Sequence, residues 1–468
     1  MSERVNDTTM LVQAARPSRR SWADETFAVV LMLLSPALVA GAFMGDFPER
    51  DRQSLQANPV VATEDLGSGI RRLFRPDLSG SDTSGGWFAP LESLTIGLQY
   101  RLVGPAAWSF RLVHLLLHIA TAWFLYRIVL SLLPRGAVLS AAEEPVNADA
   151  AFNSGRHLVA AFGAFFFFLH PVHVESMARI SQRGCVQASF FAVLAWWLIV
   201  RQGSDRRNWR CLAPCSWNGY GLSLVCLSVA VLSHPMACAM AGTLALTQGV
   251  WVREGAAGRW LKTAGFVAVG AIFAGVSTRA GLWAGDADPS LASVLVLLGR
   301  ALLGLLVPTT LSAGEAFVAP VGPGDPLIWI GLGSVLAALL IHAWLPMGVR
   351  PTCTLLPGFL LMLLPWLLPG AGRGALGHQG LCLALPVAGV LFGLGVEALQ
   401  YRLRFMGKEG GKIGETVGVG LAVLFFLLLG VLSASRSYAV VDDEAPCRGV
   451  DAASAQRSGT DAGTSLAP

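Results

Sequence analysis

Residues 109–132 read SFRLVHLLLHIATAWFLYRIVLSL, a run of mostly apolar side chains in which the only charged residues are arginines. A helix needs about 20 such residues to cross the roughly 30 Å hydrocarbon layer of a bilayer. Comparable runs recur along most of the chain, at residues 27–44, 158–172, 186–200, 217–233, 236–252, 263–278, 291–307, 327–345, 353–369, 379–399 and 414–433. The sequence therefore predicts an all-α polytopic membrane protein.

The composition supports the same fold class. Of the 468 residues, 54% are hydrophobic and 14% are charged, whereas soluble globular proteins are about 25% charged. This difference excludes an ordinary cytosolic enzyme, a disordered scaffold and a nucleic-acid-binding protein with a basic face. The eight cysteines are scattered along the chain, so we expect neither a disulfide framework nor a zinc site.

The positions of the basic residues predict the topology. Loops 201–216, 253–262 and 400–413 are rich in Lys and Arg, which places them with the N-terminus on the cytoplasmic side. All three loops share that side only if 291–307, with Arg300 at its centre, is a re-entrant or interfacial helix rather than a span. The prediction is about eleven spans, with the N-terminus inside and the C-terminus outside.

This topology divides the chain into three parts. Residues 1–23 form a cytoplasmic segment, and residues 24–433 form the transmembrane domain with a large external loop at 45–107. Residues 434–468 form an external tail that is rich in small and polar residues, and we expect part of it to be disordered.

Three carboxylates lie directly after the first apolar run, at Asp46, Glu49 and Asp51. A carboxylate held at a membrane surface can act as a general base or as a metal ligand. Solvated ion pairs with the neighbouring arginines are the alternative.

A second polar group follows the run 158–172 at its external end. His170, His173 and Glu175 lie within six residues, and Arg179 and Arg183 follow one helical turn apart. The histidine spacing matches no established metal-ligand pattern, whereas paired arginines suit a phosphate. Interfacial side chains that reach toward water are the alternative.

Histidines elsewhere carry weaker signals. His114 and His118 share one helix face, where hydrogen bonding between helices is favoured over metal binding. His234 precedes Pro235 at a break between two apolar runs, which indicates either a cavity lining or a tight turn.

Taken in order, several short motifs resemble one family. They are 51–52 (DR) with 58–59 (NP), 87–91 (WFAPL), 111–118 (RLVHLLLH), 170–176 (HPVHVES), 232–236 (LSHPM), 308–312 (PTTLS), 385–386 (LP) and 436–438 (RSY) with Asp442. The chain is similar, over about residues 25–445, to the membrane domain of GT-C type glycosyltransferases related to the transmembrane and TPR-repeat (TMTC) O-mannosyltransferases and their bacterial homologues.

This resemblance implies a GT-C-like fold in a bacterial inner membrane and a sugar donor linked to a polyprenyl phosphate. Asp51 would be the catalytic base or the ligand of a divalent metal ion, Mg²⁺ or Mn²⁺, with help from Asp46 or Glu49. Arg183, with Arg179, His173 and His170, would hold the donor phosphate. Glu175, His234, His114 and His118 are further candidate site residues.

The chain also departs from the family at charged positions, and the TPR array is not present within it. The departures are Arg50 with Asp51 for an acidic pair, 182–184 (QRG) for Glu-Arg-Lys, His234 for Lys and 379–382 (QGLC) for A-D-R-Y. The alternative is therefore a catalytically degenerate relative, a pseudoenzyme that serves as a structural or accessory subunit of a larger membrane complex. A transporter is a third class, but we find no internal repeat to support it.

Overall fold

The regular structure of the chain is helical, which confirms the predicted all-α class for the residues that can be described. The computed structural model describes residues 45–74, 88–133, 148–201, 214–279, 357–362, 376–405 and 424–437, and some of the positions within 26–34, 295–305 and 326–336. In chain order the helices are α1 Glu49–Ala57, α2 Pro59–Ala62, α3 Leu66–Leu73, α4 Pro90–Val103, α5 Ala107–Leu132, α6 Ala148–Phe168, α7 Val172–Ala178, α8 Arg183–Val200, α9 Trp217–Ser233, α10 Met240–Leu246, α11 Ala256–Arg279, α12 Leu376–Phe405 and α13 Leu424–Ser437.

Helices α5, α6, α8 and α12 pack together, and α9 packs along α8. Large apolar side chains such as Phe167, Phe168 and Trp196 fill the centre and are fully buried. Glycines bring α6 and α12 into backbone contact, because a Cβ atom added to Gly163 would lie 2.7 Å from the carbonyl oxygen of Gly389. Small residues at a helix crossing are typical of packing inside membranes.

Within the described parts of the chain, three stretches are long and apolar enough to cross a membrane, namely Ala107–Leu132, Ile180–Val200 and Ala256–Val276. Together with the composition they make the chain an integral membrane protein. The span count, the orientation, the domain limits and the bacterial inner membrane stay predictions. The re-entrant helix predicted at 291–307 lies outside the described residues, apart from isolated positions.

Two predicted spans differ from straight helices. The run 158–172 belongs to a bent pair in which Gly155–Phe168 and Val172–Ala178 meet at 59°. The run 236–252 consists of a 3₁₀ turn at Pro235–Ala239, helix α10 and a π-helical turn at Thr247–Trp251. Pro171 and Pro235 stand at the two breaks, and proline cannot continue the hydrogen-bond ladder of a preceding helix.

The bend after α6 exposes backbone carbonyl groups that other helices satisfy. The carbonyl of Phe168 is bonded to the ring nitrogen Nε2 of His118 on α5 at 3.1 Å. The hydroxyl of Ser433 on α13 donates to the carbonyl of Leu169 at 2.6 Å. An unpaired carbonyl costs several kcal/mol at membrane depth, so both side chains stabilise the bend.

The described part of the predicted external loop is an ordered helical layer. Asn58 caps α2 by accepting from the amide of Val60 at 2.9 Å, and its side-chain amide donates to the carbonyl of Ser93 on α4 at 2.9 Å. Arg101, near the end of α4, donates to the carbonyl of Val60 at 2.8 Å. These contacts hold α2 and α4 together. The pair packs on the ends of the membrane helices.

Candidate functional site

The loop meets the membrane helices at one place, which we call the junction: α1 and α4 on one side, Ala178–Gly184 and the start of α5 on the other. Arg111 of α5 holds it together, because its guanidinium donates to the carbonyls of Ala178 at 3.2 Å, Asp46 at 2.9 Å and Gly45. Arg111 is 3% exposed. The beginning of the predicted external loop and the stretch after α7 therefore lie at the same end of the bundle.

Asp51, the predicted catalytic base, lies inside the junction. Its carboxylate accepts from the backbone amides of Ile180 at 2.7 Å and Ser181 at 3.2 Å. The residue is 1% exposed. A carboxylate that accepts the first amides of a helical turn stabilises that turn, so Asp51 fixes the 3₁₀ turn Ile180–Gln182 that leads into Arg183.

The other two predicted carboxylates face solvent. Asp46 accepts from Arg52 at 2.9 Å, with both side chains about half or more exposed. Glu49 is exposed and accepts from the side chain of Gln53 at 3.2 Å. Asp46 thus has the geometry of the solvated ion-pair alternative, Glu49 is solvated with a neutral partner, and Asp51 is buried.

Glu92 on α4 is a fourth acid, which the sequence analysis did not single out. Its Oε1 atom accepts from the backbone amide of Gly184 at 3.0 Å, and the residue is 5% exposed. Burial raises the pKa of the Glu92 carboxyl to about 8, against the smaller opposing effects of the Gly184 amide and the Arg183 charge. A carboxyl with a pKa near neutrality can both accept and release a proton under physiological conditions.

Arg183 begins α8 beside Glu92 and is 2% exposed. Its Nη2 atom donates to the side-chain oxygen of Gln99 at 2.8 Å and to the carbonyl of Phe110 at 3.4 Å. Its guanidinium carbon lies 5.6 Å from the centre of the Phe110 ring. Its Nε atom is buried and has no hydrogen-bond partner among the described residues, so the guanidinium retains a donor for a ligand.

Glu175 and Arg179 form an ion pair at the edge of the junction. Their side chains are 3.4 Å apart and mostly buried.

The break at His234 also reaches the junction, because a Cβ atom added to Gly184 would lie 2.5 Å from the carbonyl oxygen of Ser233 and 2.6 Å from a carboxyl oxygen of Glu92. The absence of a side chain at Gly184 thus allows the start of α8, the end of α9 and α4 to approach one another closely.

The buried histidines lie deeper in the bundle than the junction acids. The rings of His118 and His173 are 4.6 Å apart, and His114 lies beside the backbone of Ser176 and Met177. The His170 Nδ1 atom accepts from the amide of Val172 at 3.3 Å, so its Nε2 atom carries the proton that points to the carbonyl of Leu305 at 3.1 Å. These contacts place His170 in the helix bend.

The residues described do not bring together three His, Cys, Asp or Glu side chains as a metal-binding group. Both oxygens of Asp51 already accept backbone amides. This arrangement does not fit a resident Mg²⁺ or Mn²⁺ ion. The metal predicted at Asp51 stays a prediction.

The structure brings Asp51, Glu175, Arg179 and Arg183 together and adds Glu92 and Arg111. One sequence signal points to Glu92: it is the one acid in the stretch 90–103 and follows Pro90, a residue type favoured at the first position of a helix. Nothing in the sequence shows the partners of Arg111, since its carbonyl acceptors lie more than 60 residues away.

Comparisons with known proteins give one distant similarity. No family model matches the chain, and no curated protein matches it. The crystal structure of ArnT from Cupriavidus metallidurans bound to undecaprenyl phosphate aligns with 89% of this chain and 74% of that chain, at 15% sequence identity and a TM-score of 0.40. At these values the similarity does not assign a function to this chain.

Proposed function

We propose that this chain is a GT-C-like membrane glycosyltransferase that takes its sugar from a polyprenyl-phosphate donor at the junction. One observation carries the proposal: a buried carboxyl with a pKa near 8 and a buried arginine with an unused donor lie side by side where the loop meets the membrane helices. Perturbed acids next to a specific cation at a membrane surface are typical of functional sites.

The chemistry requires two functions that these residues can supply. A hydroxyl of the acceptor attacks the anomeric carbon of the sugar, and the bond from that carbon to the phosphate oxygen breaks. The polyprenyl phosphate leaves with the electron pair, and the hydroxyl proton passes to a carboxylate. An arginine stabilises the charge that develops on the leaving phosphate.

Two carboxylates compete for the role of base. Asp51 is the one predicted from the sequence, but its oxygens are engaged by the Ile180 and Ser181 amides. Glu92 has a pKa of about 8 and lies at the start of α8 beside Arg183. A general base contributes about 10²–10⁴-fold to the rate, so Glu92→Gln and Asp51→Asn each test one assignment.

The donor site is tested by native mass spectrometry of the purified chain with added undecaprenyl phosphate. We expect binding to fall about tenfold in Arg183→Gln and in Arg179→Gln, because charge-assisted bonds to phosphate are lost. Arg179 lies at the edge of the junction, so its variant keeps the test valid if Arg183→Gln does not fold. Arg52→Gln, an exposed arginine of the same loop, is the matched control, and equal binding by all three variants would contradict the donor site.

A second candidate is a scaffold subunit without turnover. The favouring observation is that Asp51 and Arg183 bond to the protein itself, to two backbone amides and to Gln99, respectively. This candidate predicts stoichiometric membrane-protein partners after extraction in mild detergent and no bound polyprenyl lipid. Transfer of sugar from a polyprenyl-phosphate donor by the isolated chain would overturn it.

A further inference from the structure

A cavity of about 150 Å³ lies at the end of the bundle opposite the junction. We call it the basic cavity, and its lining consists of Arg127, Leu130, Ser131, Arg156, His157, Trp197 and Arg201. Three arginines and a histidine therefore surround one small space. The described lining contains no acidic residue.

The helices themselves place this cavity on the far side of the membrane. Along α5, Arg111 at the junction and Arg127 at the cavity are 16 residues apart, which corresponds to roughly 24 Å at 1.5 Å per residue. Helix α8 likewise runs from Arg183 at the junction to Trp197 at the cavity, and Arg201 follows it directly. Arg201 also begins the arginine-rich loop 201–216, which the distribution of basic residues predicts to be cytoplasmic.

The arginines are held in place by the surrounding helices. Arg156 is 8% exposed, and its Nη2 atom donates to the carbonyls of Leu130 at 2.9 Å and Leu133 at 3.4 Å, in the last turn of α5. The guanidinium carbons of Arg127 and Arg201 each lie 5.9 Å from a tryptophan ring, Trp123 and Trp197. Side chains already held in one position lose less conformational entropy when a ligand binds.

His157 completes the lining and is also fixed. Its Nδ1 atom forms a hydrogen bond with the hydroxyl of Tyr126 on α5. Arg156 and His157 are adjacent on α6, while Arg127 comes from α5 and Arg201 from the end of α8. Basic side chains from three helices thus converge on one space. An arginine that only stabilises the fold needs no second arginine beside it.

We propose that the basic cavity binds a phosphate group at the cytoplasmic membrane surface. Arginine is the side chain best suited to phosphate, because its planar fork presents parallel donors to two oxygens. The volume is below the roughly 300–1,000 Å³ of pockets for drug-sized ligands, so it fits a single phosphate group rather than a whole nucleotide. Both a phospholipid headgroup and a free phosphate ion present this chemistry. The inference does not depend on the proposed glycosyltransferase activity.

The test measures binding to the full chain in detergent by native mass spectrometry. The probes are phosphatidylglycerol and inorganic phosphate, and the variants are Arg127→Gln and Arg201→Gln. Arg253→Gln is the matched control, because Arg253 is exposed in loop 253–262, predicted on the same membrane side. Arg201 is also exposed, so its variant is expected to fold even if another cavity variant does not.

We expect phosphatidylglycerol to bind about tenfold more weakly to both cavity variants than to the unmodified chain, with less than about twofold change in the control. Competition by inorganic phosphate that depends on the same arginines would identify a free-phosphate site and supports the same chemistry. Phosphatidylglycerol binding that is not reduced by inorganic phosphate would identify a headgroup site. If the cavity variants and the control bind both probes alike, the proposal is wrong.

Discussion

The two ends of the helical bundle use arginine in opposite ways. At the junction, Arg111 and Arg183 are buried and donate to carbonyl and amide oxygens of the chain. At the basic cavity, Arg127 and Arg201 lie against tryptophan rings around an open space without acidic lining. Arg111 therefore contributes mainly to the stability of the fold, whereas Arg183 keeps its Nε atom for the proposed donor phosphate. At the basic cavity, the arginines converge on a space of the size of one phosphate group.

The largest effect that this comparison predicts is at Arg111. Replacing it by methionine leaves the carbonyls of Gly45, Asp46 and Ala178 without their donor, and we expect a loss of about 3–5 kcal/mol in unfolding free energy. Thermal unfolding in detergent measures the change. A variant as stable as the parent would show that the junction is held by apolar contacts instead.

Glu92 should make stability depend on pH. Its pKa is about 8 in the folded chain against an ordinary value of 4.5, so between these values the folded state holds a proton that the unfolded state releases. Stability therefore falls as pH rises through that window, by up to about 5 kcal/mol. In Glu92→Gln this decrease in stability should disappear. The variant Glu49→Gln, which changes an exposed acid, is the control and should keep it. An unchanged pH profile in Glu92→Gln would show that Glu92 is not the group that titrates.

Asp51→Asn should weaken the turn before Arg183. The variant keeps one oxygen for the amides of Ile180 and Ser181 but loses the charge, and we expect a cost of about 2 kcal/mol. If Asp51 is also the base, sugar transfer falls by about 10²–10⁴ even at temperatures where the variant stays folded. Separate measurements of unfolding and transfer distinguish the two roles.

The smallest effect is expected at the basic cavity. Arg201→Gln removes an exposed contact with Trp197 that is worth about 0.5–1 kcal/mol, and it relieves repulsion from the neighbouring arginines. Its melting temperature should stay close to that of the parent, in contrast with Arg111→Met. A large destabilisation would mean that Arg201 has a structural role, as at the junction.

The sequence predicts the helices well where apolar length alone decides them. Helix α9 has the predicted limits 217–233, and α5 starts within two residues of the run 109–132. The runs 158–172 and 236–252 are also predicted as spans, and the structure adds interruptions to both: α6 ends at Phe168 before a bend at Pro171, and 236–252 is divided into a 3₁₀ turn, α10 and a π-helical turn. At the first bend, neighbouring helices satisfy the released carbonyls.

The candidate site is harder to predict because its contacts join distant parts of the chain. Asp51 was recognisable as an acid near a membrane surface, but its binding to Ile180 and Ser181 depends on how the loop docks. Glu92 becomes unusual only through burial against Gly184, which depends on the tertiary fold. Residue type thus indicates which side chains carry chemistry, while their pairing follows from the packing of the loop.

The bend after α6 also has a consequence for biogenesis. Ser433, which satisfies the carbonyl of Leu169, lies 264 positions further along the chain. During synthesis α6 is made long before α13. The carbonyl of Leu169 therefore lacks this hydrogen bond until α13 has been inserted. The bend after α6 therefore completes its hydrogen bonding only when α13, the last of the described helices, packs against it.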